Sequence, residues 1–438
     1  MPRISLSRAT LPLAAALALA PSAAGAQALS PAERRIAAYV DAHVDDAVAL
    51  LERTVNINSG TGNAEGVREV GRIYAAQLDS LGFATRWVPM PDSLHRAGHL
   101  FAELPGRRGK RVLLIGHLDT VFEKDSPFQR WTRSGDIANG PGSSDMKGGD
   151  VVILYALRAL HAAGALRDRR IVVAMTGDEE NPGRPLSISR GDLVRAGRNA
   201  DAALEFEGAS REEGGRETAV TSRRSSSTWT LRISARSAHS SGIFAEGVGS
   251  GAIYEAARIL DAFRTQLTEP GLTYSPGMIA GGTEVGFDSL ASRGTAFGKN
   301  NVIAGTAVVT GDIRTLTDDQ LRRTQEKMRQ IVAQGLPQAR ASITFSEGYP
   351  SMPPTPGNLA ILGTLNEVNR ALGFPVVEPN DPGRRGAGDI SFVAPYVSGV
   401  GGLGVHGGGS HTERETADLA TLPQQIKRAA LLIYRLTR

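Results

Sequence analysis

The 438-residue chain has no cysteine. Disulfides and thiolate metal ligands are both excluded, so any bound metal must be held by oxygen and imidazole. A strong charge of one sign is also missing. Lys and Arg number 49 against 45 Asp and Glu, a net +4, which gives no footing to a nucleic acid or a membrane surface as partner. The apolar run from Leu11 to Ala20 is stopped by Pro21, short of the roughly 20 residues a membrane helix requires. There are no internal repeats, and no segment beyond the N-terminal leader is low in complexity.

That leader has the order of a secretory signal peptide. Arg3 and Arg8 precede the apolar run, and Ala24-Gly25-Ala26 follows it as a small-x-small cleavage site. Export with cleavage after Ala26, to the periplasm or beyond, is the expectation. Removing the leader takes away two arginines and no acids, so the charge falls from +4 to +2. A chain of this length exceeds one hydrophobic core, and two domains are the natural division. Many of the 51 glycines cluster beside acids and histidines, which points to close approach of backbone to something bound.

Apolar periodicity predicts helices from Ser30 to about Arg53, Ala64 to Leu81, Val151 to Leu160, Leu359 to Leu372 and Pro423 to Leu436. The unbroken run Val112 to Ile115, and the runs Ile171 to Gly177 and Ala200 to Glu207, read as strands buried on both faces. Helices alternating with such strands imply an α/β fold with a parallel sheet, whose ligands bind beyond the carboxyl ends of the strands. Each of the three strands leads into a candidate ligand: His117, the acids Asp178, Glu179 and Glu180, and Glu207.

After Arg223 the pattern changes to alternating strands and a helix from about Val248 to Leu267, with Ile253, Ala256, Leu260, Phe263 and Leu267 on one side. Thr317 and Gln320 form a capping-box pair opening a second helix. This is a small α+β domain inserted into the larger one, and the proline-rich Tyr349 to Pro356 is its return linker. The expected division is therefore a leader 1–26, a catalytic domain in two parts, 27–223 and 350–438, and a lid or dimerisation domain 224–349.

The most specific stretch is GPGSSDMKGG, Gly140 to Gly149. Its glycines let the chain turn tightly, and Asp145 offers two oxygens that can bridge two cations. A phosphate loop also places glycines before a helix, but the spacing differs, the Lys-Ser/Thr pair is absent, and a carboxylate would repel phosphate. His117 and Asp119, in HLD, form a weaker signal: either Asp119 fixes the imidazole of a metal ligand, or His117 simply caps a strand end. The acids of GDEE are either a solvated loop or a division of labour. In the second case Glu180 binds metal and Glu179 takes a proton from the attacking water and passes it to the leaving amine. Glu207 and His411 would complete an oxygen and imidazole set, with His406 as the alternative to His411. His43, His95, His99 and His161 lack acidic company and read as structural or surface residues.

GHLDT, GPGSSDMKGG and GDEE, with the looser LEFEG and GSHTE, resemble in this order the M20 family of metallopeptidases, which includes glutamate carboxypeptidases, aminoacylases and succinyl-diaminopimelate desuccinylases. The resemblance implies a phosphorylase/hydrolase-like catalytic domain with a mainly parallel central sheet and an inserted ferredoxin-like lid. It implies two zinc ions, or cobalt or manganese in their place, on His117, Asp145, Glu180, Glu207 and His411, with Asp145 bridging. Asp119 would orient His117, and Glu179 would be the general base. In the lid, SARSAHSSG resembles the segment whose histidine steadies the oxyanion in a neighbouring site. His239 would act so across a homodimer, and Asn301 and Arg314 would hold substrate, the arginine suiting a carboxylate. The chain departs from the family pattern at Ala304, where proline is common, and in the NPGRP loop after Glu180. Glutamate at 207 favours the carboxypeptidase and desuccinylase branches. The implied activity is hydrolysis of a peptide or N-acyl-amino-acid amide beside a free carboxylate. An aminoacylase or a dipeptidase is the alternative within the family, and an inactive metal- or peptide-binding protein the alternative outside it.

Overall fold

A computed structural model describes residues 28–212, 214–288 and 293–438. The leader expected over 1–26 lies outside the described residues. The central sheet has six strands in the order Ala84–Val88, His99–Pro105, Arg169–Thr176, Arg108–His117, Ala202–Glu205, Gly399–Val400. The last four run parallel, and the first two add an antiparallel edge. Both faces are covered. One carries the main apolar core, with the helices Lys147–Ala162 and Leu422–Thr437 against the strands, and the other a smaller cluster around Leu113, Ile115, Leu193 and Val393. Burial on both sides is why Val112 to Ile115 show no polar alternation. Among the described residues no helix is long and apolar enough to cross a membrane.

The first predicted helix is in fact two, Pro31–Ala42 and Val44–Val55. Ser30 and Glu33 make the capping box that starts the first. It stops because His43 leaves the helical region, at φ −129°, with its ring stacked on Tyr39 and Nδ1 2.8 Å from the Tyr39 carbonyl oxygen. A side chain that competes for a backbone group in this way interrupts an otherwise continuous apolar pattern. The helix Ala64–Ser80 ends as predicted, with Gly82 in the left-handed region at φ +86°.

A second sheet pairs Thr273–Gly282, Thr306–Arg314, Ser227–Ala235 and Ala339–Phe345, in that order and all antiparallel. With the helices Gly251–Gln266 and Asp318–Ala333 on one face, this is the β-α-β-β-α-β arrangement of ferredoxin-like units. Its core is separate, built on Trp229, Leu231, Phe263, Val309 and Met328. Of the residues predicted on the inward face of the first helix, Ala256, Phe263 and Leu267 are buried and Leu260 packs against the same core. Ala252, Ala256, Ile259 and Phe263 are buried while Ile253 is half exposed, because the helix starts at Gly251 and turns its Ala252 edge to the sheet. The two chain passages joining this unit to the rest pair with each other: Arg223 with Met352 and Ser226 with Tyr349 exchange backbone hydrogen bonds of 2.8–3.0 Å. The connection is thus a short two-stranded ribbon.

Candidate metal centre

Five segments deliver polar side chains to the carboxyl edge of the central sheet. His117 is the last residue of its strand, Glu179 and Glu180 follow the strand ending at Thr176, and Glu207 lies just beyond Glu205. Asp145 and His411 come from loops joined by a small sheet, in which Ile137–Asn139 pairs with Thr416–Asp418 and the latter with Gly407–Gly408. The helix after Asp145 packs close to the segment that leads into Glu207. A Cβ on Gly149 would stand 1.8 Å from the Phe206 carbonyl oxygen, so glycine is required there for packing as well as for the turn. Lys147, next to the loop, is buried away from the site, where its Nζ donates to the carbonyls of Thr54 and Ile57 at 3.0 and 2.9 Å. That excludes it as a phosphate-binding lysine in this arrangement.

The donor atoms converge. His117 Nε2 lies 3.3 Å from Asp145 Oδ1 and 3.4 Å from Glu207 Oε1. His411 Nε2 lies 3.3 Å from Asp145 Oδ2 and 3.1 Å from Glu180 Oε2. Asp145 therefore turns one oxygen to each histidine, the placement that suits a bridge between two ions. The sets His117, Asp145, Glu180 and His117, Glu179, Glu207 each bring one donor per residue within 4.8 Å of the others. His117 Nε2 and Glu180 Oε1 are buried without a hydrogen-bond partner among the described residues. Such orphaned atoms, facing a crowd of oxygens, fit a cation.

The electrostatics agree. Burial works to depress the His117 pKa, but Asp119, Asp145 and Glu207 together hold it well above the ordinary imidazole value. Hydrogen bonds to Asp145 and Glu180 push His411 up to about 11. Burial, with Asp145 beside it, pushes Glu180 up to about 7, and burial raises Glu179 well above the carboxylate range. All of these shifts arise where carboxylates crowd around two imidazoles, and such an excess of acidic oxygen suits a cation.

Asp119 reaches further than its expected role. Its Oδ1 is 3.4 Å from His117 Nδ1, while the same nitrogen is 3.1 Å from the Asp119 carbonyl oxygen. The carboxylate also accepts hydrogen bonds from the backbone N–H groups of Glu179 and Glu180, at 3.0 and 3.2 Å, and from Thr61 Oγ1 at 2.6 Å. One buried acid thus fixes the imidazole and both acids of the next strand end. From behind, Tyr349 Oη donates to the Glu179 carbonyl at 2.7 Å. Tyr349 in turn accepts from the buried Arg190, which binds Asp178 and Asp389 at 2.5 and 2.7 Å. Asp178, first of the three acids, is therefore a support and faces away from the ligands.

The residues expected in the lid stand elsewhere. His239 is exposed with Nδ1 2.8 Å from Ser241 Oγ, and Asn301 lies beside it, its carbonyl accepting from Ser240 N–H at 2.9 Å. Arg314 is at the other end of the strand that begins at Thr306, with Nε 3.1 Å from Asp312 Oδ2. Eight residue steps at roughly 3.3 Å each separate the two ends by about 26 Å. Within one chain Asn301 precedes the start of this strand and Arg314 closes it, so the two residues lie toward opposite ends of the inserted unit's sheet. None of the three lines the cleft of about 490 Å³ bordered by Asp145, Glu179, Glu180, Glu207 and His411. His406, the alternative ligand, is buried 3.5 Å from Glu217, outside the cluster.

Two residues of the centre carried no signal in the motifs. Glu415 accepts hydrogen bonds from the backbone N–H groups of Gly142, Ser144 and Asp145, at 3.2, 2.9 and 3.0 Å, and so holds the Asp145 loop against the His411 loop. A second acid four residues after His411 was the available hint. Arg385 lines the cleft from a loop in which neighbouring charges gave no reason to prefer it to Arg384.

A parallel sheet with a ferredoxin-like insert, and a cluster of imidazoles and carboxylates at the strand ends, define a metal-dependent hydrolase. Residues 113–435 match the model of Peptidase family M20/M25/M40, and the chain belongs to this family of metallopeptidases. It is 27% identical over 400 residues to carboxypeptidase G2 of Pseudomonas sp. (strain RS-16), covering 89% of each chain. Among solved structures, aminopeptidase PepT from Bacillus cereus matches with a TM-score of 0.72 at 16% identity, over 90% of this chain and 99% of that one. The Bacillus subtilis YXEP protein, described as a dinuclear metal-binding peptidase of the M20 family, matches with a TM-score of 0.62 at 16% identity, over 91% and 99%. These likenesses support the fold of catalytic and dimerisation domains.

Proposed function

We propose that the chain is an exported dinuclear zinc hydrolase that cleaves a peptide or N-acyl-amino-acid amide beside a free carboxylate, in the manner of a carboxypeptidase. The observation that carries this reading is the position of Asp145, one oxygen toward His117 and the other toward His411, with Glu179 beside them in the same cleft. His117, Asp145, Glu180, Glu207 and His411 would hold the two ions. When bound, such ions polarise a carbonyl and acidify water. Glu179 takes a proton from the water as its oxygen bonds the scissile carbon, and gives it to the amine nitrogen as the C–N bond breaks. The raised affinity of Glu179 for protons, a consequence of its burial, suits both halves of that transfer. Asp119 keeps His117 in one tautomer and holds the backbone that aims Glu179.

The exposed positions of His239 and Asn301 favour their delivery to the centre of a second chain through the lid, which makes a homodimer part of the proposal. The relationship to carboxypeptidase G2, along most of both chains, supports a carboxypeptidase over an aminoacylase or a dipeptidase. The deciding experiment is metal analysis of the purified protein with a panel of N-acyl amino acids, dipeptides and their carboxamides. Two zinc equivalents and cleavage confined to free-carboxylate substrates are expected. Preference for dipeptides with a free amino terminus would replace this reading with the dipeptidase one. A metal-loaded protein that cleaves no member of the panel would overturn it.

A further inference from the structure

The central sheet has a charged edge on the side away from the metal cleft. The strand Arg108–His117 carries a candidate ligand at one end and an arginine at the other, and nine residue steps of roughly 3.3 Å place the two about 30 Å apart. At the Arg108 end two turns of chain lie side by side. Arg108 stands opposite Arg169 and Arg111 opposite Arg170 in the parallel ladder, and the backbone N–H groups of Arg107 and Arg108 donate to the Asp168 carbonyl at 3.1 and 3.0 Å. One turn brings Arg107, Arg108, Lys110 and Arg111, the other Arg167, Arg169 and Arg170. The acids that face them are Glu103, Asp168 and Asp201, paired with Arg111, Arg108 and Arg170 in that order. Seven cations against three acids leave an excess of four at this end, while the whole chain without its leader carries +2. The near-neutral total, which by itself gives no footing to a membrane surface, conceals a basic end offset by acids elsewhere.

Four of the seven cations have a structural use. Three make the ion pairs just named. Arg169 donates from Nε to the Ala165 carbonyl at 3.3 Å and from Nη1 to the Thr437 carbonyl, beside the carboxyl ends of the helices Lys147–Ala162 and Leu422–Thr437, where a cation complements the helix dipole. Arg107, Lys110 and Arg167 have no such use: all three are exposed, and none makes an ion pair among the described residues. Segments 105–111 and 164–170 contain no aromatic ring, so neither turn offers a platform for nucleic-acid bases. The first helix starts at the same end. Its Glu33 accepts from Arg435 Nε at 2.7 Å, and Thr437, two residues on, stands so close to Gly109 that a Cβ there would lie 1.9 Å from its carbonyl oxygen. The exposed Arg34 and Arg35 extend the basic end toward the residues that follow the leader. On the expected export route, this is the end that the leader ties to the bilayer. We propose that the basic end docks reversibly on an anionic lipid bilayer and holds the enzyme with its metal cleft turned toward solvent. Each Lys or Arg close to such a surface adds about fivefold to the binding constant.

The test sediments the processed, metal-loaded protein with phosphatidylcholine vesicles that contain or lack phosphatidylglycerol, and it needs no turnover. Binding is expected only where phosphatidylglycerol is present, and it should weaken steeply between about 0.05 and 0.15 M salt. Arg107→Gln, Lys110→Gln and Arg167→Gln together remove the three cations without an ion pair and should weaken binding about 100-fold. An unchanged near-ultraviolet circular dichroism spectrum shows that this variant is folded. Arg322→Gln, Lys327→Gln and Arg329→Gln, on the lid helix Asp318–Ala333, lower the net charge equally and should leave binding as in the wild type. Three results overturn the assignment. One is wild-type protein that ignores phosphatidylglycerol vesicles even at low salt. Another is a folded turn variant that binds as tightly as wild type. The third is equal weakening by the lid variant, which traces the attraction to total charge and not to this end.

Discussion

His117 and His239 each follow a strand, and the molecule treats them in opposite ways. His117 ends a strand buried on both faces, its side chain is 1% exposed, and oxygens from Asp119, Asp145 and Glu207 surround it. His239 stands in solvent with a serine two residues away as its bonded side chain. The difference lies in where the partners come from. The centre of the catalytic half draws on five segments far apart in sequence, locked by buried acids such as Asp119 and Glu415 before anything binds. The insert has its own core and reaches the rest through a two-stranded ribbon, so its polar residues are presented outward. Preorganised groups can do chemistry at once; presented groups need closure or a second chain.

The largest effect tests the preorganised side. Glu179→Ala should lower kcat by about 10²–10⁴-fold, the usual contribution of a positioned proton-transfer group, while two metal ions remain bound. Metal analysis and turnover on the same preparation read both. Wild-type-like hydrolysis would remove Glu179 from the mechanism. Loss of metal together with activity would instead place it among the ligands, where its distance to His117 and Glu207 also permits it to stand.

His239→Ala comes next, with an expected loss of about 10²–10³ in kcat if it steadies the oxyanion. The comparison becomes sharper when Glu179→Ala and His239→Ala chains are mixed and allowed to re-pair. In a symmetric dimer with donation across the interface, half of the dimers are mixed, and each carries one intact site. About a quarter of wild-type activity should therefore return. Mixed samples that stay as inactive as their components would put His239 in its own chain's site and require the lid to swing over it.

Much of the preorganised half could be read from its motifs. Strand ends at His117, Glu180 and Glu207 follow from unbroken apolar runs, and GPGSSDMKGG announces a tight loop around Asp145. Residues that act through backbone groups left no such mark. Glu415 binds three amide N–H groups of a loop about 270 positions earlier, and any acid near His411 would look the same in sequence. Arg385 differs from Arg384 only in which way the loop turns, and Arg190 and Tyr349 meet across 159 residues. The lid's helices and strands were legible, since periodicity reports burial against a local core. The separation of Asn301 from Arg314 was not, because it depends on which end of a strand each residue occupies. His43 shows the same limit in the other direction: a local side-chain contact breaks a helix whose apolar spacing continues through it.

The smallest of the three effects concerns Glu415, where preorganisation can be loosened without touching a ligand. Its carboxylate accepts from the peptide N–H groups of Gly142, Ser144 and Asp145 from the loop that also carries His411, so it sets the spacing between Asp145 and His411. Removing a group that orients ligands usually costs about 10–100-fold in metal affinity. Glu415→Ala should therefore weaken binding of zinc by that factor, and saturating zinc should restore most of kcat, because Glu179 and the cleft are untouched. Glu415→Gln, which keeps one acceptor oxygen in place, should fall between the variant and the wild type. Competition with a chelator gives the affinity, and turnover at high zinc gives the rescue. A Glu415→Ala protein that binds zinc as tightly as wild type would show that the Asp145 loop holds its shape unaided. One that no zinc concentration rescues would show that Glu415 acts on the chemistry itself.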